Sequence, residues 1–230
     1  MMRVSILGAS GKVGRYLLSE VENTNDMKLG EAISSGRGEA NGAFVALGAS
    51  TLENSDVLID FSTPAATMEL LDRVQGNPLP LVIGTTGFSA AESARLRSEA
   101  QNRAILVGAN FTKGFEAFAA AAQDLVGSLP DAAIEVGEIY NALKKPAASG
   151  TTHRLCNELS QGNSREIGTD IQRIGDTAGT NIVTLDYGVA RIRLELNVAS
   201  RAAYSAGAIE AARWLVGKPN GFYEPRNLIS

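Results

Sequence analysis

The sequence lacks most of the residues on which metal enzymes and nucleophilic hydrolases depend. Its 230 residues contain one histidine and one cysteine, so neither an intramolecular disulfide nor a metal site built from cysteines can form. A Gly-x-Ser-x-Gly nucleophile motif is also missing. We therefore expect no bound metal, and the sequence supports neither a metal enzyme nor a serine hydrolase.

Long apolar segments and a strong charge of either sign are missing as well. No stretch approaches the roughly 18 apolar residues that a membrane-spanning helix needs, and the apolar run at the N-terminus is too short for a signal peptide. The 21 basic and 25 acidic residues give a net charge of -4, which offers no general attraction to nucleic acid or to an acidic membrane surface. We expect a cytoplasmic protein with neither kind of partner.

Alternating strands and helices occupy the first half of the chain. Short apolar runs rich in β-branched residues each end in a polar or glycine turn, and helical apolar stripes lie between them. This alternation predicts an α/β fold with a doubly wound, Rossmann-like parallel sheet that helices cover on both faces. The predicted strands include VSIL (4–7), VLIDF (57–61), LVIGTT (81–86) and AILVGAN (104–110).

After about residue 111 the pattern changes to α+β. An alanine-rich helix precedes a strand at 134–140, and a further helix is predicted from Ser149 to about Gly162. The segments NIVTLDYG and ARIRLELNVA alternate apolar and polar residues, which predicts neighbouring antiparallel strands. A last helix, SRAAYSAGAIEAARWLVG, leads into the C-terminal tail.

A glycine-rich turn directly follows the first strand and opens the first helix. Glycines at this junction allow a tight turn and let a pyrophosphate approach the N–H groups of the helix N-terminus. Glycines also serve ordinary strand-to-helix turns, but their place at the first such junction favours dinucleotide binding. The predicted cofactor-binding residues here are Gly8, Ser10, Gly11, Lys12, Val13 and Gly14.

The residues after the second strand bear on which dinucleotide is bound. Where dinucleotide folds usually carry an acidic residue, this chain has Ser34, Ser35 and Arg37. Hydroxyl groups and a guanidinium suit a 2′-phosphate, which a carboxylate would repel. We therefore predict NADPH, with NADH as the alternative; an ordinary solvated loop position for Arg37 stays open.

Two further turns follow strands of the first half. Open α/β sheets bind ligands at the C-terminal ends of their strands, so both turns are candidates for the nicotinamide end of the cofactor. Each turn, taken singly, is more often just a connection that binds nothing. The residues concerned are Gly84, Thr85, Thr86, Ala109, Asn110 and Phe111.

Characteristic motifs are spread over nearly the whole chain. They are GASGKVGR, LIDFSTP, VIGTTGF, GANFTKG, EIYNALKKPAASGT, RIGD, SRAAYSAGAIEAARWL and GFYEPRNL. Taken together, they resemble the dihydrodipicolinate reductase family of the lysine and diaminopimelate pathway. By this resemblance Phe61, in the second motif, also belongs to the cofactor site.

The resemblance implies a domain organisation and an activity. Residues 1–111 with the tail 213–230 are expected to form the dinucleotide-binding domain, and residues 112–212 a smaller substrate-binding and oligomerisation domain with an open mixed sheet. Such proteins usually assemble as homotetramers. The implied reaction is hydride transfer from NADPH or NADH to a cyclic unsaturated imine dicarboxylate, dihydrodipicolinate or its hydroxylated precursor.

The resemblance also places the substrate. The family's substrate lysine falls on Lys144, and its carboxylate-binding loop falls on Ser149, Gly150 and Thr151, with Asn141 as a further contact. A Ser-Gly-Thr at the start of a helix is, by itself, more typical of a helix cap. The dicarboxylate character of the substrate and the nearby lysine favour an anion site.

The chain departs from the family where the proton donor is expected. Tyr140 and Asn141 stand in the places of a histidine pair, and the loop over 164–176 is shorter than in the family. Tyr140, Lys144 or water is expected to supply the proton: a tyrosine phenol can donate one beside a lysine, but a packing role for Tyr140 is equally open. His153 is expected at a surface or capping position.

The departures from the family leave two alternative functions, an imine reductase for a different carboxylated imine and a catalytically silent NADPH-binding protein.

Overall fold

The computed structural model describes residues 1–34, 44–144, 147–161 and 165–228. The chain divides into two units, of which the first comprises Met1–Phe111 with Tyr204–Ser230 and the second Thr112–Ala203. The helices are α1 (Lys12–Glu22), α2 (Pro64–Arg73), α3 (Ala90–Glu99), α4 (Phe115–Ser128), α5 (Gly150–Ser160) and α6 (Ala202–Leu215). The strands are β1 (Met2–Leu7), β2 (Met27–Ser34), β3 (Val45–Ala46), β4 (Val57–Asp60), β5 (Leu81–Ile83), β6 (Ala104–Val107), β7 (Ala133–Tyr140), β8 (Ile167–Arg173), β9 (Gly179–Asp186), β10 (Arg191–Val198) and β11 (Gly221–Tyr223).

The first unit is built on a parallel sheet. In the described part of the chain its seven strands follow the order β11-β6-β5-β4-β1-β2-β3, and neighbouring strands are parallel. One apolar cluster joins α1 and α6 to the sheet, and a second joins α2 and α3 to it. The predicted doubly wound, Rossmann-like fold is confirmed.

The strand order reverses at β1, which lies between β4 and β2. Ligands of open α/β sheets bind at such a reversal, beyond the C-terminal ends of the strands. Gly8 follows β1 and Phe61 follows β4, and the Phe61 N–H donates to the Leu7 carbonyl at 3.0 Å. The glycine turn and the turn after β4 are therefore neighbours at this edge.

The second unit contains a mixed sheet. Its strands follow the order β10-β9-β7-β8, in which β9 is antiparallel to both β10 and β7 while β8 is parallel to β7. Helices α4 and α5 cover one face and share an apolar core with β7 and β9. The α+β prediction for this half, including the antiparallel pair β9 and β10, is confirmed.

Strand β8 differs from the sequence-based expectation. The sequence predicts only a shortened loop over 164–176, yet β8 pairs with β7 from Ile134–Ile167 to Tyr140–Arg173. The segment is mostly polar and shows no clear apolar alternation, so its strand conformation depends on backbone pairing with β7 rather than on its own pattern.

The last helix joins the first unit earlier than the sequence indicates. The expected boundary is residue 213, but the first unit resumes at Tyr204. Ala208 and Ala211 are buried in the core cluster of β1, and a Cβ on Gly207 would lie 1.7 Å from the Phe111 carbonyl oxygen. Small residues let α6 pack closely here, which moves the boundary towards the N-terminus.

Among the described residues, no helix combines the length and the apolar character needed to cross a membrane.

Candidate active site

The glycine turn after β1 leaves no room for larger side chains. Gly8 has φ +83°, and a Cβ there would lie 2.4 Å from the Phe61 carbonyl oxygen. A Cβ on Gly14 would lie 2.2 Å from the Gly8 carbonyl oxygen, and one on Gly11 would lie 3.0 Å from the same atom. The turn thus brings three backbone segments together in a way that only glycine allows.

The start of α1 is suited to an anion. Gly11 is the N-cap, and among the described residues no side chain caps it. The first N–H groups of a helix have no partner within the helix and carry a partial positive charge. With the exposed Lys12 beside them, these groups fit the pyrophosphate of a dinucleotide.

The end of β2 provides hydroxyl groups next to this turn. Ser10 Oγ and Ser34 Oγ are 3.1 Å apart and share a hydrogen bond. The Gly8 and Ala9 N–H groups donate to the Ile33 carbonyl at 2.9 and 3.0 Å, which holds the turn against β2. Ser35 and Arg37 lie outside the described residues, so the predicted preference for a 2′-phosphate stays a prediction.

The turns after β4, β5 and β6 are packed around an aromatic pair. The Phe61 and Phe111 rings are 5.8 Å apart at an angle of 59°, and a Cβ on Gly84 would lie 2.3 Å from the Phe61 ring. Thr86 is exposed and Ala109 is half-buried, whereas Asn110 is buried. Thr86 and Ala109 are therefore better placed than Asn110 to meet a ligand.

Asp60 organises these turns and was not predicted from the sequence. It is fully buried at the end of β4, and its carboxylate accepts hydrogen bonds from the hydroxyls of Ser62, Thr67 and Thr85 at 2.5, 2.5 and 3.0 Å. The Ser62 N–H also donates to it at 2.9 Å. Burial raises the pKa of Asp60 above its usual value despite these donors. Thr85, predicted as a cofactor contact, thus uses its hydroxyl within the protein.

In the second unit, Tyr140 and Lys144 are in direct contact. Tyr140 is the last residue of β7 and is buried, and the Lys144 ammonium lies 3.4 Å from the centroid of its ring. Among the described residues the Tyr140 hydroxyl makes no hydrogen bond. The lysine therefore contacts the face of the ring, where a cation is attracted to the π-electrons.

The Lys144 ammonium has an altered acidity. Although much of the side chain is exposed, the ammonium is crowded by protein, and this loss of water lowers the pKa of Lys144 to about 8. The negative charge of Glu138 opposes this shift, and the positive charge of Arg173 adds to it. The group is therefore charged at neutral pH and gives up its proton more readily than an ordinary lysine.

Asn141 shapes the loop that carries Lys144. Its amide nitrogen donates to Asp176 Oδ1 at 2.5 Å, and its amide oxygen accepts from the Leu143 N–H at 2.8 Å. Asp176 also pairs with Arg201 at 3.0 Å. Both ends of the Asn141 amide thus have protein partners, which supports a role in the loop more directly than the predicted contact with substrate.

Ser149 directs its side chain into the protein. It caps α5 by accepting from the Thr152 N–H at 3.2 Å, while its hydroxyl donates to Glu138. Its own N–H donates to Glu138 Oε2 at 3.1 Å. Of the predicted Ser-Gly-Thr site, the part suited to an anion is the N-terminus of α5, which begins at Gly150.

Glu138 and Arg173 were also missed in the sequence. Glu138 is completely buried, and its carboxylate pairs with Arg173 at 2.6 Å. Burial by itself would raise the pKa of Glu138, but hydrogen bonds from Ser149, Thr152 and Arg173 hold it below its usual value. The available signal was a glutamate on the apolar face of β7, where Ile134 and Val136 precede it at alternate positions.

His153 and Cys156 lie on α5 away from these contacts. His153 is exposed, and its N–H donates to the Ser149 carbonyl at 3.0 Å as part of the helix. Cys156 is half-buried against the core of the second unit, and burial raises the pKa of its thiol. Neither side chain contributes to the candidate site.

The same two halves appear in comparisons with known proteins. The family model described as "Dihydrodipicolinate reductase, N-terminus" matches residues 2–111, and the one described as "Dihydrodipicolinate reductase, C-terminus" matches residues 114–229. The chain belongs to the dihydrodipicolinate reductase family. The resemblance found in the sequence motifs is thereby confirmed.

Relatives of this family match over nearly their full length. Proteins named 4-hydroxy-tetrahydrodipicolinate reductase from Helicobacter hepaticus and Rickettsia bellii are each 31% identical, and the alignments cover 97% and 100% of this chain and 97% of each relative. A protein of the same name from Natronomonas pharaonis is 29% identical, with 97% and 98% of the two chains covered.

Solved structures support the fold of this dihydrodipicolinate reductase family member. A dipicolinate-bound dihydrodipicolinate reductase from Paenisporosarcina sp. TG-14 superposes with a TM-score of 0.75 at 20% identity, covering 97% of both chains. An aspartate dehydrogenase from Thermotoga maritima gives a TM-score of 0.56 at 13% identity, covering 95% of this chain and 98% of that one. At these identities the likeness concerns the fold alone.

Proposed function

We propose that the chain is an NAD(P)H-dependent reductase of a cyclic unsaturated imine dicarboxylate, dihydrodipicolinate or its hydroxylated precursor, in lysine and diaminopimelate biosynthesis. The observation that carries the proposal is the match to both halves of one reductase family, together with relatives of that name covered from end to end. We place the reaction in the cytoplasm, which is consistent with a biosynthetic enzyme of this family.

The first unit would hold the cofactor. The uncapped N-terminus of α1 and Lys12 fit its pyrophosphate, and Ser10 and Ser34 fit the hydroxyl groups of its adenosine ribose. The turns at 61 and 84–86 and at 109–111 would border the nicotinamide, which supplies the hydride when bound. We propose NADPH over NADH because the chain after β2 carries hydroxyls and an arginine rather than a carboxylate.

The second unit would hold the substrate carboxylates. Lys144 offers a positive charge, and the N-terminus of α5 at Gly150 offers the partial positive charge of a helix start. The Ser149 side chain acts indirectly, since it caps α5 and is tied to Glu138. Asn141 acts through the shape of the Lys144 loop.

Lys144 is also the better proton donor of the two candidates. Reduction adds a hydride to one atom of the double bond and requires a proton for the atom left with the electron pair. With a pKa of about 8, the Lys144 ammonium holds a proton at neutral pH and releases it at modest cost. Tyr140 then serves as the aromatic surface on which the ammonium lies.

A different carboxylated imine is the second candidate substrate. The observation in its favour is that the Tyr140 ring contacts the Lys144 ammonium and the Asn141 amide is hydrogen-bonded to Asp176. Neither side chain is therefore placed to act on the substrate as a histidine imidazole would. This candidate keeps the cofactor, the hydride transfer and the role of Lys144. Rescue of a diaminopimelate auxotroph by the gene would exclude it as the main function.

We further propose that the protein is a homotetramer assembled through the mixed sheet. Helices α4 and α5 cover one face of this sheet. On the neighbouring strands β9 and β10, Ile182 pairs with Glu195 and Thr184 pairs with Arg193. These four residues alternate along the strands with those that face the helices. Light scattering on the purified protein should give the mass of four chains. A monomeric mass at micromolar concentration would overturn this part of the proposal.

The decisive test follows NADPH oxidation by absorbance, with the substrate generated by its synthase. We expect turnover by the wild type, loss of most of it in Lys144→Ala, and no change in Lys28→Ala, which removes an exposed lysine of β2. If the wild type binds NADPH but oxidises neither NADPH nor NADH, the proposed substrate is wrong. Other cyclic imines would then be tried, and inactivity on all of them would indicate a silent NADPH-binding protein.

A further inference from the structure

The segment 173–176 holds the beginning of the Lys144 loop. The Ile174 N–H donates to the Tyr140 carbonyl at 2.8 Å, and the Ala142 N–H donates to the Gly175 carbonyl at 2.9 Å. Asp176 accepts from the Asn141 amide at 2.5 Å. The loop therefore leaves β7 along a path that the end of β8 defines.

The same segment holds the end of the loop. Arg173 Nη2 donates to the Ala147 carbonyl at 2.7 Å and to Glu138 Oε1 at 2.6 Å. The other carboxylate oxygen of Glu138 accepts from the Ser149 N–H at 3.1 Å and from the Ser149 and Thr152 hydroxyls. One ion pair thus joins β7, β8, the loop and the start of α5.

This ion pair lies in a desolvated environment next to Lys144. The Glu138 side chain is 0% exposed and that of Arg173 is 12% exposed. The Tyr140 ring contacts the Lys144 ammonium at 3.4 Å and lies 5.9 Å from the Arg173 guanidinium carbon. Two cations therefore lie near one aromatic ring, and the Glu138 carboxylate is paired with one of them.

We propose that Arg173 and Glu138 are positioning residues of the substrate site, which fix Lys144 relative to the N-terminus of α5 and set the electrostatic environment of its ammonium. Neither residue needs to touch the substrate, because both act through the loop and the helix start to which they are bonded. The proposal rests on the proposed function, in which Lys144 and the start of α5 bind the substrate carboxylates.

Glu138 and Arg173 should shift the pKa of Lys144 in opposite directions. The Glu138 charge raises the pKa of Lys144 and the Arg173 charge lowers it. The other groups facing this cluster are the Tyr140 ring and Asp176, which is paired with Arg201; Lys145 lies outside the described residues. Glu138→Gln should thus lower the pKa of Lys144, Arg173→Gln should raise it, and the double variant should return it towards the wild-type value of about 8.

The first readout does not depend on catalysis. Protein labelled with ¹³C at lysine Cε would be titrated by NMR, and the Lys144 signal would be assigned by its loss in Lys144→Arg. We expect the pKa of Lys144 to fall in Glu138→Gln and to rise in Arg173→Gln, each by at least about half a pH unit. Arg165→Gln is the matched control, since Arg165 also donates to backbone carbonyls of the second unit, at Leu129, Ala132 and Val126, and it should leave the Lys144 titration unchanged.

The second readout separates positioning from general stability. Arg173→Gln should raise KM for the imine at least about tenfold with little change in NADPH affinity, whereas Arg165→Gln should change neither. Arg173→Lys is the substitute where Glu138→Gln or Arg173→Gln folds poorly. It keeps the positive charge but cannot donate to both Glu138 and the Ala147 carbonyl. We therefore expect it to raise KM for the imine without raising the pKa of Lys144. Unchanged Lys144 titration and unchanged KM in these variants would overturn the inference. An inactive wild type with the predicted NMR shifts would instead overturn the proposed substrate.

Discussion

The Lys144 ammonium lies over the face of the Tyr140 ring, 3.4 Å from its centroid. This arrangement differs from a hydrogen bond between the lysine and the phenol, because the contact uses the π-electrons and leaves the hydroxyl out. Tyr140 thus supports the neighbouring cation. The proton donor can therefore be tested with two substitutions at one position.

Tyr140→Phe and Tyr140→Leu should differ in effect. Phenylalanine keeps the aromatic face, so we expect kcat and KM for the imine to stay within about threefold of the wild type. Leucine removes the cation–π contact, worth about 1–2 kcal/mol, so KM should rise roughly 5- to 30-fold. Steady-state kinetics with Tyr187→Phe, a half-exposed tyrosine in the turn after β9, serve as the control. A loss of kcat in Tyr140→Phe as large as in Tyr140→Leu would make the phenol the proton donor.

The activity should fall at alkaline pH. Lys144 with its pKa of about 8 is protonated below that value and neutral above it, and only the protonated form attracts a carboxylate and donates a proton. We therefore expect kcat/KM to be constant near pH 7 and to decrease as pH rises through about 8. In Lys144→Arg, which stays charged in this range, the residual activity should lack the decrease. A wild-type profile that is flat from pH 7 to pH 10 would contradict this assignment.

Gly14→Ala should impair cofactor binding. The added Cβ would lie 2.2 Å from the Gly8 carbonyl oxygen, so the turn and the start of α1 must move apart, and overpacking of this kind costs about 1–3 kcal/mol. We expect NADPH affinity, measured by fluorescence titration, to fall at least about tenfold. Gly48→Ala is the control because its Cβ would meet nothing within 4 Å. Equal affinities in both variants would argue against this turn as the pyrophosphate site.

Asp60→Asn should loosen the turns after β4 and β5. An amide has one acceptor oxygen where the carboxylate receives hydrogen bonds from Ser62, Thr67 and Thr85, so at least one of these buried hydrogen bonds to residue 60 is lost. We expect the free energy of unfolding in urea to fall by about 1–3 kcal/mol and NADPH affinity to fall with it. The exposed Asp72→Asn, which removes a surface ion pair with Arg95, should stay within about 1 kcal/mol.

Local patterns determined the parts of the protein that depend on neighbouring residues. The alternation of strands and helices, the start of a helix at Ser149 and the glycine turn were all visible in the sequence, and the structure contains them. These features form because residues within a few positions of one another satisfy the same turn or helix end. The family could be inferred from the sequence for the same reason, since its motifs are short continuous stretches.

Tertiary structure alone decided how the candidate substrate site is assembled. Glu138 and Arg173 are 35 positions apart in the sequence. The polar segment 164–176 has no strand pattern of its own, and β8 forms there because it pairs with β7. Lys144 and Ser149 could be predicted as site residues from the sequence. Only the tertiary structure shows that Ser149 donates to Glu138 and that the Lys144 ammonium contacts the Tyr140 ring. Side-chain direction and burial arise from contacts between distant segments, and a linear pattern does not contain them.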